Sequence, residues 1–460
     1  MKPKKLPHTL ILSLYVSALM FLCLANGDNA LAKTTKPNII FIMADDMGYG
    51  DAGCYGQTLI KTPNIDLLAK EGRRFTQCYA GSTVCAPSRS VLMTGQHTGH
   101  TRVRGNFGVG GVRGLGGATG RIPLKESDIT VAEVLKSAGY QTGMMGKWGL
   151  GEPGTSGEPN RKGFDTWFGY LNQRRAHSYY PEYLWLNRER FALPGNQDGN
   201  QSQYSHDLIV GFATHFIRQN QHAPFFLYLP FTIPHSQFQV PDYETYAAED
   251  WPEQAKIYAA MITRMDRDIG TLIQLLDDLK LTKNTVLFFC SDNGAANRYD
   301  GLFNSSGPLR GRKRDLFEGG LRTPMIVRWP GMIPAGTVSA SPWTFADFLP
   351  TAAELAGALP PQGGDGMSIL PSLLGQAQAL EDRFLYWEFF ERGFQRAARW
   401  RDWKAIIPEH HGTIQLYNLN TDLGETTNIA EAYPDIVARF QRFFEGARTD
   451  SSEFPIRSTQ

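Results

Sequence analysis

The sequence has 460 residues, 42% of them apolar, and a formal net charge of +1 at pH 7. This length and apolar content allow a large hydrophobic core, and the nearly neutral charge argues against nucleic acid as the main partner. Five cysteines are too few for a disulfide framework in a chain of this size, although Cys54 and Cys78 could still pair.

The N-terminal segment has the pattern of a secretory signal peptide. Three lysines among the first five residues precede an almost entirely apolar run over residues 9–25, and residues 30–32 form an Ala-Leu-Ala cleavage site. The apolar run approaches the length needed to span a bilayer, so an uncleaved membrane anchor is the alternative. We predict a signal peptide over residues 1–32, a periplasmic or secreted location, and no stable membrane span after cleavage.

Alternating strand and helix patterns follow this segment. Short apolar runs predict buried strands over residues 37–43, 141–145, 223–229 and 285–290. Helical patterns are present over residues 64–71, 129–138 and 257–279. This alternation indicates an α/β fold with a doubly wound, mostly parallel sheet flanked by helices. Ligands of such folds bind beyond the carboxyl ends of the strands.

The pattern changes after residue 375. Short runs predict antiparallel strands over residues 384–388, 397–400, 403–407 and 415–419. A closing helix is predicted over residues 434–446. We therefore assign residues 33–375 to a main α/β domain and residues 376–460 to a smaller C-terminal subdomain of antiparallel sheet plus helix. Within the main domain, the glycine-rich segment 105–120 predicts either a flexible rim of a binding site or an ordinary surface loop.

The segment Cys85–Arg89, with the sequence Cys-Ala-Pro-Ser-Arg, begins another predicted helix. Pro87 suits the first turn because it lacks a backbone donor and its φ is already helical. Thr94-Gly95 is a typical helix end. Cys85 is therefore expected at the helix N-terminus, where free N–H groups and the helix dipole favour an anion. The alternative is a buried cysteine that only packs against the start of the helix.

Acidic and amide residues follow two of the predicted strands. Asp45 and Asp46 lie within three residues of the end of the strand predicted over residues 37–43, and Asp292 and Asn293 lie within three residues of the end of the strand predicted over residues 285–290. Their oxygen atoms are hard ligands, which suit Ca²⁺ or Mg²⁺ better than Zn²⁺. Adjacent carboxylates repel each other unless a cation or basic groups neutralise them. Either pair alone is also a common turn sequence.

Taken together, these segments resemble the type I sulfatases, the formylglycine-dependent family of the alkaline phosphatase-like superfamily. The matching segments follow the family's order and are spread over the mature chain. They are Asp-Asp at 45–46, C-x-P-S-R-x-x-L-x-T-G at 85–95, Gly-Lys-Trp-Gly-Leu-Gly at 146–151, Pro-His at 234–235, Asp-Asn-Gly at 292–294, and a basic run before Glu-Gly-Gly-x-Arg-x-Pro at 310–324. A match of several segments is far more specific than the short cysteine motif alone.

The resemblance implies that Cys85 is oxidised to formylglycine by a formylglycine-generating or maturase enzyme during export. The hydrated aldehyde would then be the nucleophile, activated by a metal ion and by Arg89. By the same resemblance, one Ca²⁺ ion, with Mg²⁺ less favoured, is bound by Asp45, Asp46, residue 85, Asp292 and Asn293.

The resemblance also implies roles for two lysines and a histidine at the substrate. Lys147 and Lys313 match the sulfate-binding lysines of the family, and His235 would protonate the leaving alcohol, a task that suits imidazole. Gly149 departs from the family, which has at this position a histidine that contacts the formylglycine hydroxyl. His177 is a candidate substitute that would bind substrate, and a surface or packing histidine is the alternative.

The Gly-Lys-Trp-Gly-Leu-Gly form, together with residues 177–185, is similar to bacterial polysaccharide sulfatases. This likeness implies a sulfuric ester hydrolase that removes sulfate from a carbohydrate, with galactose sulfate and N-acetylgalactosamine sulfate as candidate substrates. The alternatives are an arylsulfatase of broad specificity, and a phosphatase or phosphonate monoester hydrolase of the same superfamily. A carbohydrate-binding protein on an inactive sulfatase scaffold is a further alternative, which the departure at Gly149 keeps open.

Overall fold

The computed structural model describes residues 36–113, 120–296 and 299–456 of the chain. Within these residues, eleven strands form a main mixed sheet. They are β1 (Asn38–Ala44), β2 (Arg73–Tyr79), β3 (Gln141–Lys147), β4 (Thr166–Tyr170), β5 (Tyr183–Leu186), β6 (Glu189–Ala192), β7 (Phe225–Pro230), β8 (Thr285–Ser291), β9 (Arg322–Arg328), β10 (Thr337–Ser339) and β11 (Trp343–Thr344).

The centre of the main sheet is parallel, and antiparallel pairs flank it on both sides. The strand order is β10-β2-β9-β8-β1-β7-β3-β4-β5-β6, and β11 also pairs with β2. From β8 to β4 all neighbouring strands are parallel, which confirms the predicted parallel sheet. Strand β9 is antiparallel to β8 and β2, and β5 is antiparallel to β4 and β6.

Helices cover both faces of this sheet, as the sequence predicts. In the described part of the chain the α-helices are α1 (Pro63–Glu71), α2 (Cys85–Thr94), α3 (Val131–Ser137), α4 (Ser205–Gln219), α5 (Glu253–Asp278), α6 (Asp300–Phe303), α7 (Glu318–Leu321), α8 (Phe348–Leu355), α9 (Leu370–Leu373) and α10 (Pro434–Gly446). Alternate residues of β1 point to opposite faces. Ile39 and Phe41 pack with residues of α2, α3 and α8, and Ile40 and Ile42 pack with residues of α1, α4 and α5.

The predicted elements of the parallel centre are all present, with small shifts at their ends. The helix predicted over residues 129–138 is shorter because Thr130 caps it: its Oγ1 accepts a hydrogen bond from Glu133 N, and the Glu133 side chain accepts one from Thr130 N. The sequence patterns do not predict β2, β4, β5, β6, β9 or α4. Strand β2 is missed because it carries polar side chains such as Arg73, which donates to Thr337 Oγ1 at 3.0 Å.

A separate antiparallel sheet follows the main one. It consists of β12 (Phe384–Phe389), β13 (Gln395–Trp400), β14 (Trp403–Ile407) and β15 (Gln415–Asn418), paired in chain order. These strands and helix α10 confirm the predicted C-terminal elements. Tyr386 and Ala398 pack against Phe440 and Phe444 of α10, and side chains of the opposite face pack against the main sheet. From Pro37 onward the chain forms one compact unit, and the predicted boundary at residue 375 stays a prediction.

Some predictions fall on residues outside the described part of the chain. The predicted signal peptide, residues 1–32, lies there, and so does the middle of the glycine-rich segment, residues 114–119. In the described ranges, no helix combines the length and the apolar character needed to cross a bilayer. Cys54, Cys78, Cys85 and Cys290 are free thiols, so the pairing of Cys54 with Cys78 that the sequence allows is not present.

Candidate active site

Two neighbouring parallel strands bring four of the predicted metal ligands together. β1 and β8 are in register up to the pair Ala44 and Ser291, so the residues that follow each strand lie side by side. Asp46 N donates to Asp292 Oδ1 at 3.1 Å, and Asn293 Nδ2 donates to Asp46 Oδ1 at 2.8 Å. Their position beyond the carboxyl ends of the strands is where α/β folds bind ligands.

Cys85 is the first residue of α2, as the sequence predicts, and its thiol faces these carboxylates. Sγ lies 3.6 Å from Asp45 Oδ1 and 3.5 Å from Lys313 Nζ. The residue is only 4% exposed. Burial raises the pKa of the Cys85 thiol to about 12, although Lys147 and Lys313 act in the opposite direction. The thiolate is therefore not the resting form of this group at neutral pH.

Three basic side chains pair with the carboxylates. Arg89, one turn along α2, donates through Nε and Nη2 to Asp292 Oδ2 at 3.1 Å and 2.8 Å. Lys147 Nζ lies 2.6 Å from Asp45 Oδ2, and Lys313 Nζ lies 2.7 Å from both oxygens of Asp46. Arg89 also donates through Nη1 to the carbonyl oxygen of Lys147 at 2.8 Å, which fixes the end of β3 against α2.

The electrostatic balance of this group depends on burial and on the pairing partners. Burial and the neighbouring Asp45 raise the pKa of Asp292 to about 6, despite Arg89. Burial also raises the pKa of Asp46, but Lys313 and His235 outweigh it and hold that pKa below its usual value. The three carboxylates and three basic groups have equal and opposite charge, so a bound divalent cation would leave the site with two positive charges in excess.

The donor set fits a hard divalent cation. Ligand atoms of Asp45, Asp46, Cys85 and His235 all lie within 4.8 Å of one another. Asn293 Oδ1 is buried and, within the described residues, has no hydrogen-bond partner. A buried acceptor of this kind needs a donor or a cation, and carboxylate and amide oxygens are the ligands of Ca²⁺ and Mg²⁺.

Two histidines form one wall of the site. His235 follows β7, and its Nε2 lies 3.3 Å from Asp46 Oδ2 and 3.4 Å from Lys313 Nζ. Burial, together with the positive charges of Lys313 and Lys147, lowers the pKa of His235 to about 3, so this imidazole is neutral before an anion binds. His177 stacks on His235 with ring centroids 3.9 Å apart. The structure thus brings His177, the candidate substrate residue, into the site.

A cavity of about 350 Å³ adjoins these groups, and its lining includes Asp46, Cys85, Lys147, His177, His235 and Lys313. Its lining also includes residues that sequence reasoning missed, namely Asn106, Phe107, Arg121, Gln173, Tyr299 and Arg314. Gln173 lies just beyond the end of β4, so the rule that found Asp45 and Asp292 could have found it had β4 been predicted. Arg121 follows the glycine-rich segment 105–120, for which a rim of the binding site is one of the two predictions.

Gly149 has a specific reason to be glycine in this structure. Its φ of +81° is in the left-handed region, and a Cβ at this position would lie 2.4 Å from Cγ of Gln173. The Gln173 side chain therefore covers the position where the family has a histidine. His177, by contrast, reaches the cavity by stacking on His235.

Comparison with family models places most of the chain in one family. Residues 37–358 match the model described as Sulfatase, and residues 312–448 match the model described as N-sulphoglucosamine sulphohydrolase, C-terminal. The two matches together cover both sheets.

Similar proteins agree with this assignment. N-acetylgalactosamine-6-sulfatase of Canis lupus familiaris is 34% identical over 378 residues, which are 78% of this chain and 70% of the relative. The Homo sapiens protein of the same name is 33% identical over 381 residues, with the same shares covered. Among solved structures, Ps i-CgsB in complex with k-i-k-neocarrahexaose is 28% identical with a TM-score of 0.79, over 92% of this chain and 96% of that one.

A more distant solved structure shares the fold alone. The phosphonate monoester hydrolase of Agrobacterium radiobacter is 20% identical with a TM-score of 0.64, over 89% of this chain and 95% of that one. The family-model match and the relatives above 30% identity are more specific. This chain therefore belongs to the sulfatase family of the alkaline phosphatase-like superfamily and is a sulfuric ester hydrolase.

Proposed function

We propose that this protein removes sulfate from a sulfated carbohydrate, with galactose sulfate or N-acetylgalactosamine sulfate in a polysaccharide as the preferred class, through a formylglycine made from Cys85. The observation that carries the proposal is the position of Cys85 Sγ at a helix N-terminus, 3.6 Å from Asp45 Oδ1 and 3.5 Å from Lys313 Nζ. The names of the relatives and the neocarrahexaose complex of Ps i-CgsB support the carbohydrate class.

Two groups complete the site in this proposal. One Ca²⁺ ion would be held by Asp45, Asp46, residue 85, Asp292 and Asn293, and Ca²⁺ is preferred over Mg²⁺ because it accepts more ligands in less regular geometry. Formylglycine at position 85 would supply a hydroxyl nucleophile next to that ion, whose charge lowers the pKa of a bound hydroxyl.

Lys147 and Lys313 bind the sulfate group of the substrate. Both ammonium groups face the cavity that contains residue 85, and each is anchored by one carboxylate. They are already in place before the reaction, so they stabilise the negative charge that builds up on oxygen in the transition state at no cost of rearrangement. Arg89 holds Asp292 and the end of β3 in position and adds a third positive charge.

His235 supplies the proton to the leaving alcohol. The imidazole Nε2 lies 3.4 Å from Lys313 Nζ, at the wall of the same cavity. The free imidazole is neutral, and a sulfate ester bound between the two lysines brings a negative charge that raises the pKa of His235. His177 fixes the plane of that ring by stacking and closes the site on that side.

The modification of Cys85 requires a partner enzyme in this proposal. Cys85 is 4% exposed at the floor of the folded site, so a formylglycine-generating or maturase enzyme has to reach it before the chain folds. This timing agrees with the predicted signal peptide over residues 1–32. We therefore propose that the mature protein is periplasmic or secreted.

Two measurements test the proposal on protein expressed with a maturase and Ca²⁺. Mass spectrometry of the peptide that contains residue 85 is expected to show a mass lower than the thiol form, because oxygen replaces sulfur and two hydrogens are lost. Hydrolysis of 4-nitrophenyl sulfate is expected to be faster than hydrolysis of 4-nitrophenyl phosphate. Much faster phosphate turnover would favour the phosphatase or phosphonate monoester hydrolase alternative.

A pair of cysteine variants supplies the control. Cys85→Ala is expected to abolish sulfate ester hydrolysis, since it removes the precursor of the nucleophile. Cys54→Ala, which changes a free thiol outside the cavity, is expected to keep the activity of the unsubstituted protein. Equal activity of both variants would contradict a role of residue 85 in the reaction.

A further inference from the structure

Two hydrogen-bond donors in the cavity have no partner within the described residues. Gln173 is 4% exposed, and its Nε2 is buried without a hydrogen-bond partner. Its other amide atom, Oε1, accepts from Arg121 Nη1 at 2.9 Å. Arg121 Nε is likewise buried without a partner. Because unpaired buried donors destabilise a protein, these two atoms point to a ligand that accepts hydrogen bonds.

The charge of Arg121 makes an anion the expected ligand. Its Nη1 donates to Asn106 O at 2.9 Å, and the guanidinium lies 4.7 Å from the ring centroid of Phe107. These partners and Gln173 Oε1 are all neutral, and no carboxylate of the described residues forms an ion pair with Arg121. Burial lowers the pKa of Arg121, and Glu152 and Glu391 offset this only from a longer range. A partly buried cation of this kind is stabilised by a bound anion.

The backbone and side chains around this pair hold it beside the nucleophile. Gly149 leaves the room that the Gln173 side chain fills. Asn106, whose carbonyl binds Arg121, accepts through Oδ1 from Ala86 N at 3.3 Å, next to Cys85. Arg121 and Gln173 line the same cavity as Cys85 and the two lysines. A group bound here would therefore belong to the same substrate molecule as the scissile sulfate.

We propose that Arg121 and Gln173 form an anion-binding subsite that recognises a second anionic group of the substrate, either a second sulfate or a uronate carboxylate. The inference rests on the proposed function and narrows its substrate class to carbohydrates with two or more negative charges. A carboxylate presents two coplanar oxygens, and a sulfate ester presents three oxygens arranged as a tripod. A guanidinium and an amide N–H can bind either group through charge-assisted hydrogen bonds.

Binding measurements separate the two sources of negative charge. Binding is measured by calorimetry on Ca²⁺-loaded Cys85→Ser protein, because this substitution prevents turnover. The reference ligand is N-acetylgalactosamine 6-sulfate. Its affinity is compared with that of N-acetylgalactosamine 4,6-disulfate and with that of N-acetylgalactosamine 6-sulfate linked to glucuronate. At least one of the two second anions is expected to tighten Kd by about tenfold, the usual effect of a hydrogen-bonded charge. The ligand that binds more tightly identifies the second anion as sulfate or as carboxylate.

Two further substitutions in the Cys85→Ser background test the residues. Arg121→Gln removes the charge, and Gln173→Glu places a carboxylate against the guanidinium; each is expected to reduce the tenfold gain to less than threefold. Arg188→Gln, a change at a 62% exposed side chain, is the matched control and is expected to keep the gain. If Arg121→Gln does not fold, the Gln173→Glu variant alone tests whether the subsite causes the gain in affinity.

The failures of this inference and of the proposed function are distinguishable. The subsite is overturned if neither second anion increases affinity in the Cys85→Ser protein. It is also overturned if the increase stays above threefold in folded Arg121→Gln or Gln173→Glu variants. Failure of the unsubstituted enzyme to hydrolyse any sulfate ester overturns the proposed function itself. Normal hydrolysis of 4-nitrophenyl sulfate combined with no gain from either anion overturns the subsite alone.

Discussion

Two buried clusters of charged side chains lie at different places in this fold. Both pair carboxylates with basic side chains, but their surroundings differ. The pocket cluster consists of Asp45, Asp46, Asp292, Arg89, Lys147 and Lys313. The sheet cluster consists of Glu318, Glu425, Arg322, Arg399 and Lys404, together with the hydroxyl of Tyr79. The pocket cluster borders a cavity, whereas the sheet cluster lies between the main sheet and the C-terminal sheet.

In the sheet cluster the charges serve as partners for each other. Lys404 Nζ lies 2.9 Å from Glu318 Oε1 and 3.0 Å from Glu425 Oε1. Tyr79 OH donates to Glu318 Oε2 at 2.7 Å. In the pocket cluster Lys147 and Lys313 also pair with carboxylates, but both lysines line a cavity as well. The neighbouring Asn293 Oδ1 has no hydrogen-bond partner within the described residues. The comparison teaches that burial alone does not distinguish a structural ion network from a binding site, whereas an adjoining cavity does.

Removing the central cation of the sheet cluster is expected to have the largest effect on stability. Lys404→Met leaves Glu318 and Glu425 buried without their shared partner, which is expected to lower the free energy of unfolding by about 3–5 kcal/mol. Lys125→Met, a change at an exposed lysine, is the control. Denaturant unfolding of the two variants measures the difference. A loss below about 1 kcal/mol for Lys404→Met would mean that the sheet cluster is stabilised by other contacts.

The same change in the pocket cluster is expected to affect the reaction more than stability. Lys147→Met removes one preorganised cation, and losses of about 10²–10³-fold in kcat are typical for such a group. The fold is expected to lose less than it does with Lys404→Met, because Asp45 also lies 3.7 Å from Arg89. Hydrolysis of 4-nitrophenyl sulfate and denaturant unfolding check both parts. Unchanged kcat would exclude Lys147 from sulfate binding.

The carboxylates of the pocket cluster were predictable from local pattern and its basic residues from the resemblance to the sulfatases, whereas the sheet cluster was predictable from neither. Asp45 and Asp292 each follow a run of buried apolar residues, and strands of a parallel centre end at one edge, so their proximity follows from local pattern. Lys404 lies in an ordinary short strand, and Glu318 in a four-residue helix. Their contact depends on how two sheets pack, which no local pattern specifies.

The missed cavity residues have a similar physical cause. Gln173 follows β4, whose sequence Thr-Trp-Phe-Gly-Tyr contains a glycine and starts with a polar residue, so it does not have the pattern of a buried strand. Arg121 is brought to the cavity by pairing with Gln173 Oε1 and Asn106 O rather than by an element end. Side-chain contacts of this type are visible only after the chain has folded.

A buried carboxylate outside both clusters sharpens the comparison, because no basic side chain of the described residues lowers its pKa. Asp266 of α5 is 1% exposed and accepts hydrogen bonds from the backbone N–H groups of Asn64 and Ile65 at the start of α1. Among the described residues it forms no ion pair. Burial raises the pKa of Asp266 to about 6, despite these hydrogen bonds. Protonated Asp266 therefore contributes to the free energy of unfolding. This contribution is fully present below the pKa of the unfolded chain, about 3.8, and is lost as the pH rises through about 6.

This carboxylate gives the smallest of the expected effects. Relative to Asp266→Asn, the unsubstituted protein is expected to lose roughly 2 kcal/mol of unfolding free energy between pH 4 and pH 7. Urea unfolding of both proteins at several pH values measures this difference, and other titrating groups cancel in it. A difference that is constant across this pH range would show that Asp266 stays ionised in the folded protein.

The sheet cluster has a consequence for any attempt to shorten the chain. Glu318 comes five residues after Lys313 and is held by Lys404 of β14. A truncation before β12 would take away that lysine and leave an acidic side chain without this partner on the segment that carries Lys313, the proposed sulfate-binding residue. The C-terminal sheet is thus expected to be required for the stability of the main domain, and a chain that ends at residue 375 is expected to be unstable.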